Sequence, residues 1–153
     1  MREMKRIISA GVLIFAFTAC QNGVMLETIE SKNDVPTTLA KLKTLLETKG
    51  LTHFATIDHK ANATNIGMEL NDDTVVIFGN PKVGTLLMQC NPSLGIDLPL
   101  RILLRTNDEG KTTVSYFNPE YWKMKHHIID EKCLTILKKT KEALANMTKS
   151  IAN

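Results

Sequence analysis

Residues 78–85 read Phe-Gly-Asn-Pro-Lys-Val-Gly-Thr, a turn and a helix start placed directly after an apolar run. Asn80 can cap a helix with its side-chain oxygen. Pro81 suits the first helical position, because its missing N–H would have no intrahelical partner there. Capping alone accounts for these residues. The same segment could also hold an anion: the N–H groups of Lys82, Val83 and Gly84 would open a helix, with Lys82 and Thr85 as further donors to a phosphate or carboxylate. The glycine spacing of a phosphate loop is missing.

His59 is the second centre of interest. A neutral imidazole there could ligate a metal or shuttle a proton, with Asp58, Asp97, His126 and His127 as companions. No pair has the fixed spacing of a zinc site, and a hydrogen bond to a backbone carbonyl, holding a loop, is the simpler role. His53, beside Leu51 and Ala55, reads as structural. Asp97 precedes Leu98-Pro99-Leu100 and can brace the entry to a strand through backbone N–H groups. Pro99 cannot donate to a ladder, so this strand end is expected at an edge or a bulge. Arg101 and Arg105 share a face and could bind an acidic ligand, or stay solvated and pair with Glu69 or Glu120. Tyr121-Trp122 could anchor a ligand or a subunit interface. After Met1 and Met4 the methionines are scattered at 25, 68, 88, 124 and 147, which suits gap-filling better than copper binding. No Ser, Cys or Thr sits in a nucleophile motif with an identifiable base. Catalytic triads are spatial, however, so an enzyme with His59 as base stays open.

The chain opens with Arg2, Lys5 and Arg6, then the apolar run Ile7 to Phe17, then Thr18-Ala19-Cys20. That is the pattern of a bacterial lipoprotein leader, although Phe17 stands where such leaders usually carry Leu. The run is about eleven residues, against the roughly 20 of a helix that crosses a bilayer. The expectation is a signal over residues 1–19, lipid on Cys20 and a short tether to residue 22. Gln21 and Asn22 carry no acidic retention signal, so the expected address in a Gram-negative cell is the outer membrane, facing the periplasm.

Losing residues 1–19 leaves 134 residues, one ordinary domain over 23–153, and lowers the net charge from +3 to +1. A surface so nearly balanced argues against nucleic acid, which requires concentrated positive charge. Aromatic residues are only 5% of the chain, too few for a base-stacking platform. With Cys20 lipidated, Cys90 and Cys133 remain. They could bridge in an oxidising compartment, but the expected state is two buried small apolar side chains, because a domain of this size needs no staple.

These residues must be positioned by a short list of elements. Gly23 to Ser31 reads as a first strand. A helix follows, with Asp34 or a neighbour as cap and Pro36 in its first turn, ending at Gly50; Val35, Leu39, Leu42, Leu45 and Leu46 form its apolar stripe. Strands are expected at 51–58, at Ile66 to Leu70 by alternation, and at Thr74 to Phe78, whose continuous apolar run predicts cover on both faces. Two more follow at 98–105 and 111–117, and a long helix closes the chain over 131–150, with Leu134, Leu137, Leu144 and Met147 on its core side. The order β-α-β-β-β-β-β-α with short turns predicts an α+β two-layer sandwich: a mainly antiparallel sheet with helices packed on one face.

The 78–82 motif, Gly84-Thr85, Met88 and Asp97-Leu98-Pro99-Leu100-Arg101 occur with Ile57-Asp58-His59 and Ala63 upstream. Tyr121 and Lys125-His126-His127-Ile128 lie downstream. Together they resemble the family catalogued as domain of unknown function 302, over about residues 23–130. The resemblance implies a compact α+β domain, often dimeric and in several members exported, with no established reaction. His59 matches the family's recurring histidine. Where the family tends to have Arg-His-Gly, this chain has Lys125-His126-His127. The leading reading is therefore an envelope lipoprotein that binds a small molecule, anion or metal in a cleft near His59, Asn80 and Asp97, with Lys82, Thr85, Arg101 and His126 contributing. A homodimeric structural module and an enzyme using His59 are the alternatives.

Overall fold

The computed structural model describes residues 25–153. The expected leader, Cys20 and the residues before Met25 lie outside them. Strand β1 (Leu26–Glu30) leads into helix α1 (Val35–Thr48), which starts where Asp34 accepts the Thr37 N–H at 2.8 Å and Pro36 fills the first turn. Strand β2 (Thr52–Asp58) and helix α2 (His59–Asn65) follow, then β3 (Asp73–Gly79) and α3 (Pro81–Cys90). A 3-10 turn (Pro92–Ile96) precedes β4 (Leu100–Thr106) and β5 (Thr112–Phe117). Helices α4 (Tyr121–Lys125) and α5 (Glu131–Ala152) complete the chain.

The strands form one five-stranded antiparallel sheet in the order β1-β5-β4-β3-β2. Strand alternation sends Val76, Phe78, Ile102, Leu104, Val114 and Tyr116 to one face, where they meet Val35, Leu42 and Leu46 of α1 and Leu144, Met147 and Ile151 of α5. This is the α+β arrangement expected from the sequence. A second, smaller core lies beyond it. Leu87 of α3, Leu94 of the 3-10 turn, Trp122 of α4, Ile128, and Cys133 and Leu137 of α5 pack together there.

Four expectations need correction. Ile66 to Leu70 is not a strand: Gly67 has φ +74°, its N–H donates to the Thr64 carbonyl, and the Met68 N–H donates to the Ala63 carbonyl. That pair of hydrogen bonds is the Schellman closure of α2, and the glycine that makes it possible also mimics the polar step of an alternating strand. Ile66 is left 73% exposed. The order is thus β-α-β-α-β-α-β-β-α-α. Strand β3 is covered fully on one face only, since Thr74, Val76 and Phe78 are buried while Val75 and Ile77 are half-buried on the other. Pro99 does not mark an edge: β4 is the middle strand, and Pro99 stays out of its ladder by standing one residue before it. Finally, Cys90 and Cys133 form a disulfide, with Cα atoms 6.3 Å apart. It joins the end of α3 to the start of α5 across the second core.

Candidate functional site

Strand β3 ends at Gly79, paired with Thr52, and the chain turns at once into α3. Asn80 makes that turn. Its Oδ1 accepts the N–H groups of Lys82 at 3.0 Å and Val83 at 3.4 Å, and its carbonyl accepts the Gly84 N–H at 2.9 Å. The Thr85 hydroxyl donates to the Pro81 carbonyl at 2.8 Å. Of the donors expected to cradle an anion, the three N–H groups and the Thr85 hydroxyl are therefore spent on the helix itself, and the exposed Lys82 ammonium is not. What the turn does achieve is to carry α3 away from the sheet and across from α5.

Between these two helices and the ends of β3 and β4 lies a cavity of about 580 Å³. Phe78, Leu87, Leu98 and Leu100 form much of its wall, Phe54 and Met88 stand beside them, and Asn80 and Thr85 also line it. From α5, Ile136, Lys139, Thr140, Ala143, Leu144 and Met147 share one side of the helix and supply the opposite wall. The volume falls within the roughly 300–1,000 Å³ of ligand pockets, and an apolar lining with few polar groups is their usual chemistry. Gly84 keeps it open: a Cβ there would meet nothing closer than Leu98 Cδ1 at 3.9 Å. The sequence reading missed Ile136, Lys139, Thr140 and Ala143, because it followed the core stripe of α5 through Leu137 and Leu144. The signal was a second, mixed stripe of Ile136, Thr140 and Ala143 beside the first.

A polar cluster borders the same end of the sheet. His126 Nε2 lies 2.5 Å from Asp97 Oδ2, and His126 Nδ1 lies 2.6 Å from the Ser93 hydroxyl. The Lys125 ammonium donates to Asp97 Oδ1 at 2.8 Å, and the Asn91 amide donates to the His126 carbonyl at 2.8 Å. His126 is buried, with 4% exposure. Burial pushes the Asp97 carboxyl up, but the hydrogen bonds and charges of Lys125 and His126 outweigh it and hold the group below its ordinary 3.8. Serine, histidine and aspartate stand in line here, yet with the ring reversed relative to a hydrolase triad: the hydroxyl faces Nδ1 and the carboxylate Nε2. The Ser93 N–H is taken by Asn91 Oδ1 at 2.9 Å, so it is not a free oxyanion donor. The cluster instead ties the 3-10 turn to the end of α4. Sequence reasoning named Asp97 and His126 but missed Ser93 and Asn91, whose signal was the Asn-Pro-Ser helix start. Lys125 supplies the charge where the family pattern has arginine, and His127 takes φ +49°, the left-handed conformation that glycine prefers.

The Asp97 shift has a sign. An unfolded chain takes up the proton first as pH falls, so the stabilisation is complete above 3.8 and is lost as pH drops through the lower folded value. Asp97→Asn is expected to cost about 2 kcal/mol at pH 7, since it replaces charge-assisted hydrogen bonds. It should also flatten the decline of Tm between pH 5 and pH 3. Parallel Tm profiles for the two proteins would contradict this.

The remaining candidates lie elsewhere. His59 is exposed at the first position of α2, after Asp58, which pairs with Thr74. Asn80 follows the other end of β3, about 17 Å of strand away. A single cleft around His59, Asn80 and Asp97 therefore does not form. Arg101 stands opposite Ile77 on the sheet face away from α1 and α5. Glu120 pairs with Lys141 and not with either arginine. Lys82 is exposed beside the helix start. Among the described residues, no group of three His, Cys, Asp or Glu side chains is placed to hold a metal ion.

The comparisons agree with this architecture. Residues 27–151 match the family described as domain of unknown function DUF302. An uncharacterized conserved DUF302 protein from Bacillus stearothermophilus has the same fold, with TM-score 0.74 and 15% identity over 83% of this chain and 98% of that one. Over 103 residues the chain is 33% identical to a protein of Brucella suis biovar 1 (strain 1330) named fluoride-specific ion channel FluC 1, covering 67% of this chain and 41% of that protein. A protein of the same name from Brucella abortus biovar 1 (strain 9-941) is also 33% identical, with 38% of its length covered. The chain thus spans about two fifths of these relatives, and among the described residues no helix is long and apolar enough to cross a membrane. With its sequence matched from the first strand into the last helix and its fold shared with a solved member, the chain belongs to the DUF302 family.

Proposed function

We propose that this domain binds a small, largely apolar molecule in the cavity between α3 and α5, and that it does so outside the cytoplasm on a lipid anchor. The observation that carries the binding reading is the cavity itself. About 580 Å³ of apolar-walled space is held open between two helices that a disulfide clamps together, with a glycine where a larger side chain would fit. Phe54 and Met88 on its wall are left exposed, and apolar surface left uncovered in a concave place is typical of ligand-binding grooves. Asn80 and Thr85, two of the residues that sequence reasoning selected, are part of its wall.

Occlusion tests the proposal. Gly84 lies within α3 with space beyond it, so Gly84→Leu fills the cavity without strain at φ. Removing a helical glycine gains up to about 1 kcal/mol of helix propensity. The expected result is a protein with unchanged or higher Tm that no longer takes up an apolar probe such as 1-octanol by calorimetric titration. Undiminished uptake by Gly84→Leu would place the binding elsewhere and refute the reading.

The location rests on Arg2, Lys5, Arg6, the apolar run and Ala19-Cys20, supported by the Cys90–Cys133 bridge, which suits an oxidising compartment. The anchor would be the acyl chains on Cys20, facing the periplasm from the outer membrane. Cys20→Ser is expected to move the protein from the membrane fraction to the soluble envelope fraction, or to leave it unprocessed with residues 1–19 attached. A wild-type protein recovered from the cytosol with its leader intact would refute the location.

A further inference from the structure

We infer that the ligand is a single-chain carboxylate, with its tail in the apolar cavity and its head at Lys139, an assignment that rests on the binding reading above. The polar side chains that line the cavity are few, and their hydrogen bonds show what is left to offer. Thr85 and Thr140 each donate the hydroxyl proton to a carbonyl one turn back in their own helix, Pro81 and Ile136, at 2.8 Å. Asn80 Oδ1 already accepts two backbone N–H groups, while its Nδ2 has no partner among the described residues. Lys139 is exposed and makes no ion pair among the described residues, although its neighbour Lys141 pairs with Glu120 and Lys125 pairs with Asp97.

The unspent donors are therefore the Asn80 amide and the Lys139 ammonium, and the ammonium is the one charged group on the wall. No aspartate or glutamate lines the cavity. A cationic head would meet repulsion from Lys139, and a neutral alcohol would gain nothing from its charge. One lysine matches a monoanion better than it matches a dianion. The rest of the wall suits a flexible tail: Met88 and Met147 are adaptable, and Phe54 stands half-exposed beside the cavity.

Calorimetric titration of the full-length protein with octanoate, decanoate and 1-octanol tests the assignment. Octanoate should bind one to one. Decanoate should bind about fifteenfold tighter, since each of its two extra methylenes is worth roughly a factor of four when buried. Lys139→Gln should weaken octanoate about three- to fivefold, the range of an exposed ion pair, and leave 1-octanol unchanged. Raising the salt should weaken octanoate binding to wild type more than to Lys139→Gln. Equal affinity for octanoate and 1-octanol, or no effect of Lys139→Gln, overturns the carboxylate assignment while the cavity reading stands. Failure of all three compounds to bind overturns both.

Discussion

Removing the Cys90–Cys133 bridge, as Cys90→Ala/Cys133→Ala, is expected to cost about 4 kcal/mol and to lower Tm by roughly 12 °C or more. The bridge closes a sequence separation of 43, and loop-closure entropy of the unfolded chain sets the figure. Its position raises the consequence beyond the number. The half of the fold that it joins, made of α3, the 3-10 turn, α4 and the start of α5, has only the small core around Leu87, Leu94, Trp122 and Leu137. The cavity occupies space between the same two helices, so opening the bridge frees one wall from the other. Equilibrium unfolding in denaturant of the oxidised wild type against the double variant gives the free-energy difference. A difference below about 1 kcal/mol would show that the second core holds without the covalent link. A domain of 134 residues needs no staple when its apolar residues gather in one core. The structure divides the apolar residues between two.

Trp122→Ala is expected to cost about 3–5 kcal/mol, the loss of a large buried aromatic together with the void it leaves. Trp122 is 2% exposed and packs in the second core. The sequence reading placed it with Tyr121 on a ligand or subunit surface. The structure corrects this for Trp122, whose ring is already covered by its own chain. Trp122 Nε1 has no hydrogen-bond partner among the described residues, so Trp122→Phe removes an unsatisfied donor and keeps most of the apolar contact. It is expected to cost less than about 1.5 kcal/mol. Thermal unfolding read beside sedimentation separates the two roles. A Trp122→Ala protein with unchanged Tm but a lower oligomeric state would return the ring to an interface.

Several elements were legible because they depend on neighbours in sequence. Asp34 with Pro36, Asn80 with Pro81, and Gly50 at φ +61° set the ends of α1 and the start of α3 by capping and backbone geometry alone. The stripe of Val35, Leu42 and Leu46 faced the sheet as its period required. The misreading at Ile66 to Leu70 came from the same locality. A glycine that closes a helix and a polar residue in a strand give the same short pattern, and only the Ala63 and Thr64 carbonyls distinguish them.

By itself, then, the sequence determined the α+β class, the main helices, the flanking strands and the family, since periodicity, caps and motif residues are properties of short stretches. Tertiary structure alone decided the rest. It separated His59 from Asn80 by the length of β3 and joined Cys90 to Cys133. It aligned Ser93, His126 and Asp97, and it opened a cavity between α3 and α5. Each of these is a relation between side chains far apart in sequence. Which distant side chains meet is set by how helices and strands pack, and spacing along the chain does not encode that directly.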